Sequence, residues 1–212
     1  MRSGGNQTDM THHINTGESW KEHRKIRRDR RKERIQSDLE NFGRDILNSE
    51  EMRAAFQQTH HTRSTVGEHT RRVAEKSLAI CYALDRLHIR TDISMVVKSS
   101  LCHDLGILGR DEKYESEKEC SMRHPTDSVK VAENLVSNLS EKTKDIIIRH
   151  MWPKGQSKAP NSLEGIIVSI ADKIAAVEDF FRGSKVKRIG INESFYNIIK
   201  REGDGKWKMK KR

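Results

Sequence analysis

Val66, His69, Val73, Ile80, Leu84 and Leu87 recur at helical spacing, which predicts an amphipathic helix over Thr65–Leu87 with His69 on its buried stripe. Asp92 to Cys102 reads as the next helix, with Ile93, Val96, Val97 and Leu101 inward, and the pair His103–Asp104 falls at its C-terminal end. Gly106 and Gly109 end the regularity, and a charged loop over residues 109–123 follows. Pro125 suits the first turn of a helix that reaches to about Asn138. Ser140 opens another, in which Ile146, Ile147 and Ile148 lead to His150 before Pro153 stops it. From Ser162 and Glu164 onward, Ile166, Ile167, Val168, Ile170, Ile174, Ala175 and Val177 put apolar groups on nearly every face. That pattern predicts a central, buried helix with Asp172 in its middle.

Toward the N-terminus the pattern is thinner. Ser37 and Glu40 read as a capping box that opens a short helix with Leu39, Phe42, Ile46 and Leu47 on its apolar face. Ser49 starts another short helix, to about Gln58. Beyond the apolar helix, residues 182–192 read as a loop, and Asn192 can cap a last helix over Glu193–Arg201. There are no internal repeats and no strand pairs in the pattern, so the chain is expected to be all-α, a helical bundle.

Composition refines the organisation. Hydrophobic residues make up 33% and charged residues 34%, so the core is economical and the ends are solvated. The division expected is a polar, basic N-terminal extension (residues 1–36), one domain (37–200) and a basic C-terminal tail (201–212). Residues 1–17 are polar and Gly-rich, with the composition of a disordered arm. The net charge of +10 favours acidic partners, such as phosphorylated metabolites or nucleic acid. Much of that charge lies in the run Ser19–Ile35 and in the tail. The run reads either as a solvated helix with interleaved acid–base pairs or as a contact for phosphate backbone; the lack of an aromatic platform favours the first. Cys81, Cys102 and Cys120 form no C-x-x-C pair, which fits a reducing cytoplasm, with Cys102 as a small buried apolar side chain. No secretory leader pattern is present and no apolar run is long enough to cross a bilayer, so no membrane partner is expected.

The chemistry lies in six groups from five helical segments or their ends: His69, His103, Asp104, His124, His150 and Asp172. Buried imidazoles and carboxylates are costly unless something binds them, and a divalent ion does so most readily. His69, His103, Asp104 and Asp172 suit one ion, and Asp104 can bridge to a second held by His124 and His150. Mixed imidazole and carboxylate ligation points to Fe, Mn, Co, Ni or Zn.

In the order His69, His103–Asp104, Asp172, the chain resembles the HD-domain metal-dependent phosphohydrolases, and His124 and His150 match the extra histidines of two-metal members. The segments His61–His69, Arg123–Pro125, His150–Pro153 and Ala171–Lys173 are similar to those of small bacterial HD-domain hydrolases. The resemblance covers about Leu39 to Lys200. It implies an all-α HD fold, and hydrolysis of a phosphate ester of a nucleotide or small phosphorylated metabolite by a metal-activated hydroxide. Ile107 stands where some signalling relatives have lysine, and their Gly-Tyr-Pro segment is missing, which argues against cyclic dinucleotides.

Around the ligands, Arg123, Lys173 and Arg63 are candidates to hold phosphate, with Arg110 and Lys154 behind them. His61 is a candidate outer acid or base, or a loop histidine like His60 and His88; Glu68 either orients a ligand or faces solvent. Two other readings fit the same residues. The di-iron oxygenases of the HD superfamily use a similar ligand set, and a non-enzymatic module could bind nucleic acid through the basic ends around a structural metal.

Overall fold

The computed structural model describes residues 16–61, 64–154 and 157–182. The expected last helix, the tail, the N-terminal arm and Arg63 lie outside the described residues. The chain divides into two compact units, one up to Arg34 and one from Ile35 onward. Eight α-helices are present among the described residues: α1 (Thr16–Asn48), α2 (Glu50–Ala55), α3 (Val66–Asp85), α4 (Ile93–Cys102), α5 (Arg110–Lys113), α6 (Glu117–Leu135), α7 (Glu141–Arg149) and α8 (Leu163–Arg182). A 3-10 turn, Leu105–Ile107, follows α4. The protein is all-α, apart from a small antiparallel hairpin of β1 (Thr59–His61) and β2 (Ser64–Thr65), which the hydrophobic pattern did not reveal.

Most helix starts follow local chemistry. Ser49, Asp92, Ser116 and Ser140 each accept a backbone N–H at the head of their helices. Thr65 and Glu68 form a reciprocal capping box at α3, so Glu68 has a structural role there. Three expectations are corrected. Ser37 opens no new helix, because α1 continues through it without a Gly or Pro between Glu18 and Phe42. Pro125 sits well inside α6 rather than in its first turn, since Ser116 caps the helix nine residues earlier. The segment Glu117–Arg123 carries charges on most faces, so no apolar period announces it. Third, α8 buries only one side: Ile166, Ile170, Ile174 and Val177 are exposed.

The core forms two clusters. One gathers Leu39, Ile46, Met52, Leu78, Leu101, Leu105 and Ile147. The other packs Val73, Cys81 and Val96 against Ile146, Ile167, Val168, Ala171 and Ala175. α3 packs on both α4 and α8, α7 touches α4, α6 and α8, and α6 also packs on the 3-10 turn. These contacts bring the N-terminal turn of α3, the C-terminal ends of α4 and α7, and the middle of α6 and α8 to one place.

Candidate metal centre

Each side chain of the centre is placed by the end or face of a helix. The capping box sets His69 in the first turn of α3, where it is 1% exposed. His103 and His150 are the C-cap residues of α4 and α7. Their Nδ1–H groups donate to Ser100 O at 2.8 Å and Ile147 O at 2.6 Å, closing the last turn of each helix. His124 uses the same device within α6, donating Nδ1–H to Cys120 O at 2.8 Å. Two helix C-termini, each with its partial negative charge, therefore meet at the cluster and favour a cation there.

Asp104 follows His103 with φ −112° and ψ 4°, which turns the chain into the 3-10 element. Gly106 makes that turn fit: a Cβ there would lie 2.3 Å from His124 O and 2.4 Å from Ser128 N. Its N–H donates to Ser128 Oγ at 2.8 Å, and its carbonyl accepts from Tyr114 OH at 3.0 Å. The close approach carries Asp104 between the histidines.

The two oxygens of Asp104 face different groups. Oδ2 lies 3.4 Å from His103 Nε2, 3.7 Å from His69 Nε2 and 3.5 Å from His60 Nε2. Oδ1 lies 3.3 Å from His124 Nε2 and 3.4 Å from His150 Nε2. Asp172 Oδ1 is 3.0 Å from His69 Nε2 and 3.9 Å from His103 Nε2. All six expected groups thus converge, every one of them buried.

The arrangement fits divalent cations. A carbonyl only accepts, so the Nδ1 hydrogens of His103, His124 and His150 are fixed, and in the neutral rings Nε2 is a bare lone pair. His124 and His150 oppose those lone pairs at 3.2 Å, and His103 Nε2 has no hydrogen-bond partner among the described residues. Acceptors facing acceptors and carboxylates is an arrangement that a cation relieves. Ligands about 2.1 Å from one ion stand about 3.0 Å apart in an octahedron and about 3.4 Å apart in a tetrahedron, the range spanned by the shorter distances above.

Protonation follows the same geometry. Burial pulls the His69 ring down, but hydrogen bonds to Asp172 and Asp179 outweigh it and raise its pKa to about 9. Burial would raise Asp104; His103, His124 and His150 overcome this and hold it well below the carboxylate range. Asp172 is likewise lowered, against burial, by His69 and the charge of His103. His124 is raised by Asp104 despite burial, and His150 is lowered, chiefly by burial. Burial pushes the Cys102 thiol up to about 12, so it is an apolar neighbour and no thiolate.

The surrounding candidates separate. Lys173 Nζ donates to Asp172 Oδ2 at 3.0 Å and His150 O at 2.6 Å, joining two parts of the centre. Arg123 stands apart: it pairs with Glu119 at 2.5 Å along the solvent face of α6, with its guanidinium over the Tyr114 ring. Arg110 donates to the carbonyl of His60 at 2.9 Å, and Lys154 is exposed. The backbone of His61 lies in β1, and its side chain is outside the described set.

Two residues escaped the sequence reading. His60 is buried, with its ring centroid 4.6 Å from that of His69. Its proximity arises from the hairpin, which no periodicity marks. Asp179 Oδ2 accepts the Nδ1–H of His69 at 2.9 Å and is itself held by Arg72 and by Ser64 Oγ. It lies two helical turns beyond Asp172 on the same face of α8, and that i, i+7 spacing was its signal.

A helical bundle that closes such a cluster defines an α-domain with the groups to hold a metal ion. The chain belongs to the HD-domain family: the HD domain model matches residues 66–177, more than half of the 212 residues, in accord with the metal-dependent phosphohydrolase superfamily. The match contains all six groups, while His60 and Asp179 fall just outside it. No curated protein and no solved structure matches the chain. Among the described residues, no helix is long and apolar enough to cross a membrane.

Proposed function

We propose that this protein is a metal-dependent phosphoric ester hydrolase that acts on a nucleotide or another small phosphorylated metabolite. The observation that carries the reading is the division of Asp104, with one oxygen toward His69 and His103 and the other toward His124 and His150. In this reading His69, His103, Asp104 and Asp172 hold one divalent ion, and Asp104, His124 and His150 hold a second. Bound there, such ions lower the pKa of water and polarise a phosphoryl oxygen.

The chain's own groups do the rest. Asp179 fixes the His69 ring and leaves Nε2 aimed inward. Lys173 orients Asp172 through its outer oxygen and places a positive charge beside a phosphoryl group. His60 faces the cluster from the hairpin, placed to hydrogen-bond a substrate oxygen. His60, Asp179 and the candidate ligands are buried, which strengthens the interactions among them, while Lys173 reaches them from a partly exposed position.

The test is metal analysis of the purified chain, followed by an anaerobic phosphate-release screen over nucleotides and phosphomonoesters with Mn or Co. Release that disappears in Asp104→Ala is the expected result. Oxygen uptake with iron, and no phosphate released, would assign the centre to the oxygenase branch instead.

A further inference from the structure

The helix that supplies Asp172 has a second face. Ile166, Ile170, Ile174, Val177 and Phe181 are 44%, 47%, 43%, 55% and 70% exposed. At about 100° per residue they share an arc of about 80°, on the side of α8 away from Asp172 and Asp179. The stripe is about 22 Å long at ~1.5 Å per residue. A continuous apolar run of this kind on a surface marks an interaction site. The inner face of α8 packs on α3, α4 and α7, whereas the outer one stays exposed.

The sequence beyond α8 has the matching chemistry. Ile191, Phe195, Ile198 and Ile199 repeat at i, i+4, i+7 and i+8, the apolar stripe of a short amphipathic helix. In this sequence pattern Asn192 is the N-cap candidate, and Glu193, Asn197 and Lys200 would fall on the polar side. Residues 183–190 separate this segment from α8, with Gly183 and Gly190 at either end and Lys185, Lys187 and Arg188 between. Fully extended they reach about 28 Å, enough to reverse direction and return along the stripe. A tethered segment meets the stripe at millimolar effective concentration, which favours it over a second copy of the chain.

We propose that the amphipathic segment after Asn192, expected from its sequence to be a helix over Glu193–Arg201, docks on the Ile166–Phe181 face of α8, with Phe195, Ile198 and Ile199 turned inward and Ile191 packed just ahead of the cap. The helix that carries Asp172 and Asp179 is then packed on both sides, and its fixed position is transmitted to the metal centre.

The test uses the full-length chain with Cys120→Ser. Ile174→Cys is paired in turn with Phe195→Cys, Ile198→Cys, Ile199→Cys and, on the opposite face, Asn197→Cys, and oxidation is followed by intact mass. At least one of the first three pairs should close within one chain at least ten times faster than the Asn197→Cys pair. Equal rates on both faces overturn the proposal, and so do crosslinks mainly between chains, which assign the stripe to a second copy. A separate measurement does not depend on the cysteine variants. Phe195→Asp and Ile199→Asp should each lower Tm by at least about 4 °C, with Asn197→Asp near the parent value. Unchanged Tm in both apolar variants also overturns it.

Discussion

Nε2 of His124 and Nε2 of His150 stand 3.2 Å apart, with the Nδ1–H of each ring committed to a backbone carbonyl of its own helix. Neither neutral ring has a hydrogen to offer the other. Asp104 raises the pKa of His124 against burial, while burial lowers that of His150, so the two rings respond differently to the same carboxylate. His124, His150 and Asp104 Oδ1 are the groups that would hold a cation at that point and so relieve both lone pairs.

This pair provides the most direct test of two ions. His124→Ala and His150→Ala should each bind one metal per chain where the parent binds two, and Asp104→Ala should bind neither firmly. Elemental analysis after gel filtration reads the stoichiometry. Equal metal content in the parent and the two histidine variants would contradict a second site.

Asp179 touches His69 and no other candidate ligand among the described residues, so it would act on a bound metal through that ring. Asp179→Asn should weaken affinity by about 10–100-fold while the ratio at saturation stays that of the parent. Competition with a chromophoric chelator measures this. Unchanged affinity would reduce Asp179 to a partner of Arg72.

Metal binding should release a proton at neutral pH. The folded-state pKa of His69, about 9, lies above its unfolded value. In the metal-free protein its pairing with Asp172 and Asp179 therefore stabilises fully below about pH 6.5 and is lost as pH rises through about 9. A metal at Nε2 displaces that proton, so calorimetry at pH 7.5 in Hepes and in Tris should show about one proton released, falling away above pH 9. Heats independent of buffer would count against His69 as a ligand.

Gly106→Ala should lower unfolding stability by about 1–3 kcal/mol, because the new methyl meets backbone rather than a movable side chain. Metal content should fall with it, since the same contact positions Asp104. Urea unfolding of the metal-free protein measures the first effect. A neutral result would show that the turn and α6 can separate at little cost.

Much of the fold was legible because it rests on local rules. The α3 stripe, the helix starts at Ser49, Asp92 and Ser140, and the ends of α4 and α7 at His103 and His150 are set by neighbours within one helical turn. The six candidate ligands could be named because their residue types are costly to bury alone and because their order resembles that of the HD-domain family; for His124, which no apolar period marks, the resemblance was the main signal.

What the sequence by itself determined is therefore most of the helices that line the centre, though not the extent of α1 or the start of α6, and the chemistry they carry inward. Tertiary structure alone decided that the oxygens of Asp104 are shared between two groups of histidines, that His60 joins them and that Arg123 does not. It also decided that α8 has an open face. These depend on the approach of Gly106 to α6, on a hairpin without periodicity, and on which sides of α8 find neighbours. Contacts between residues distant along the chain leave no local period, because they are fixed only when separate helices pack against one another.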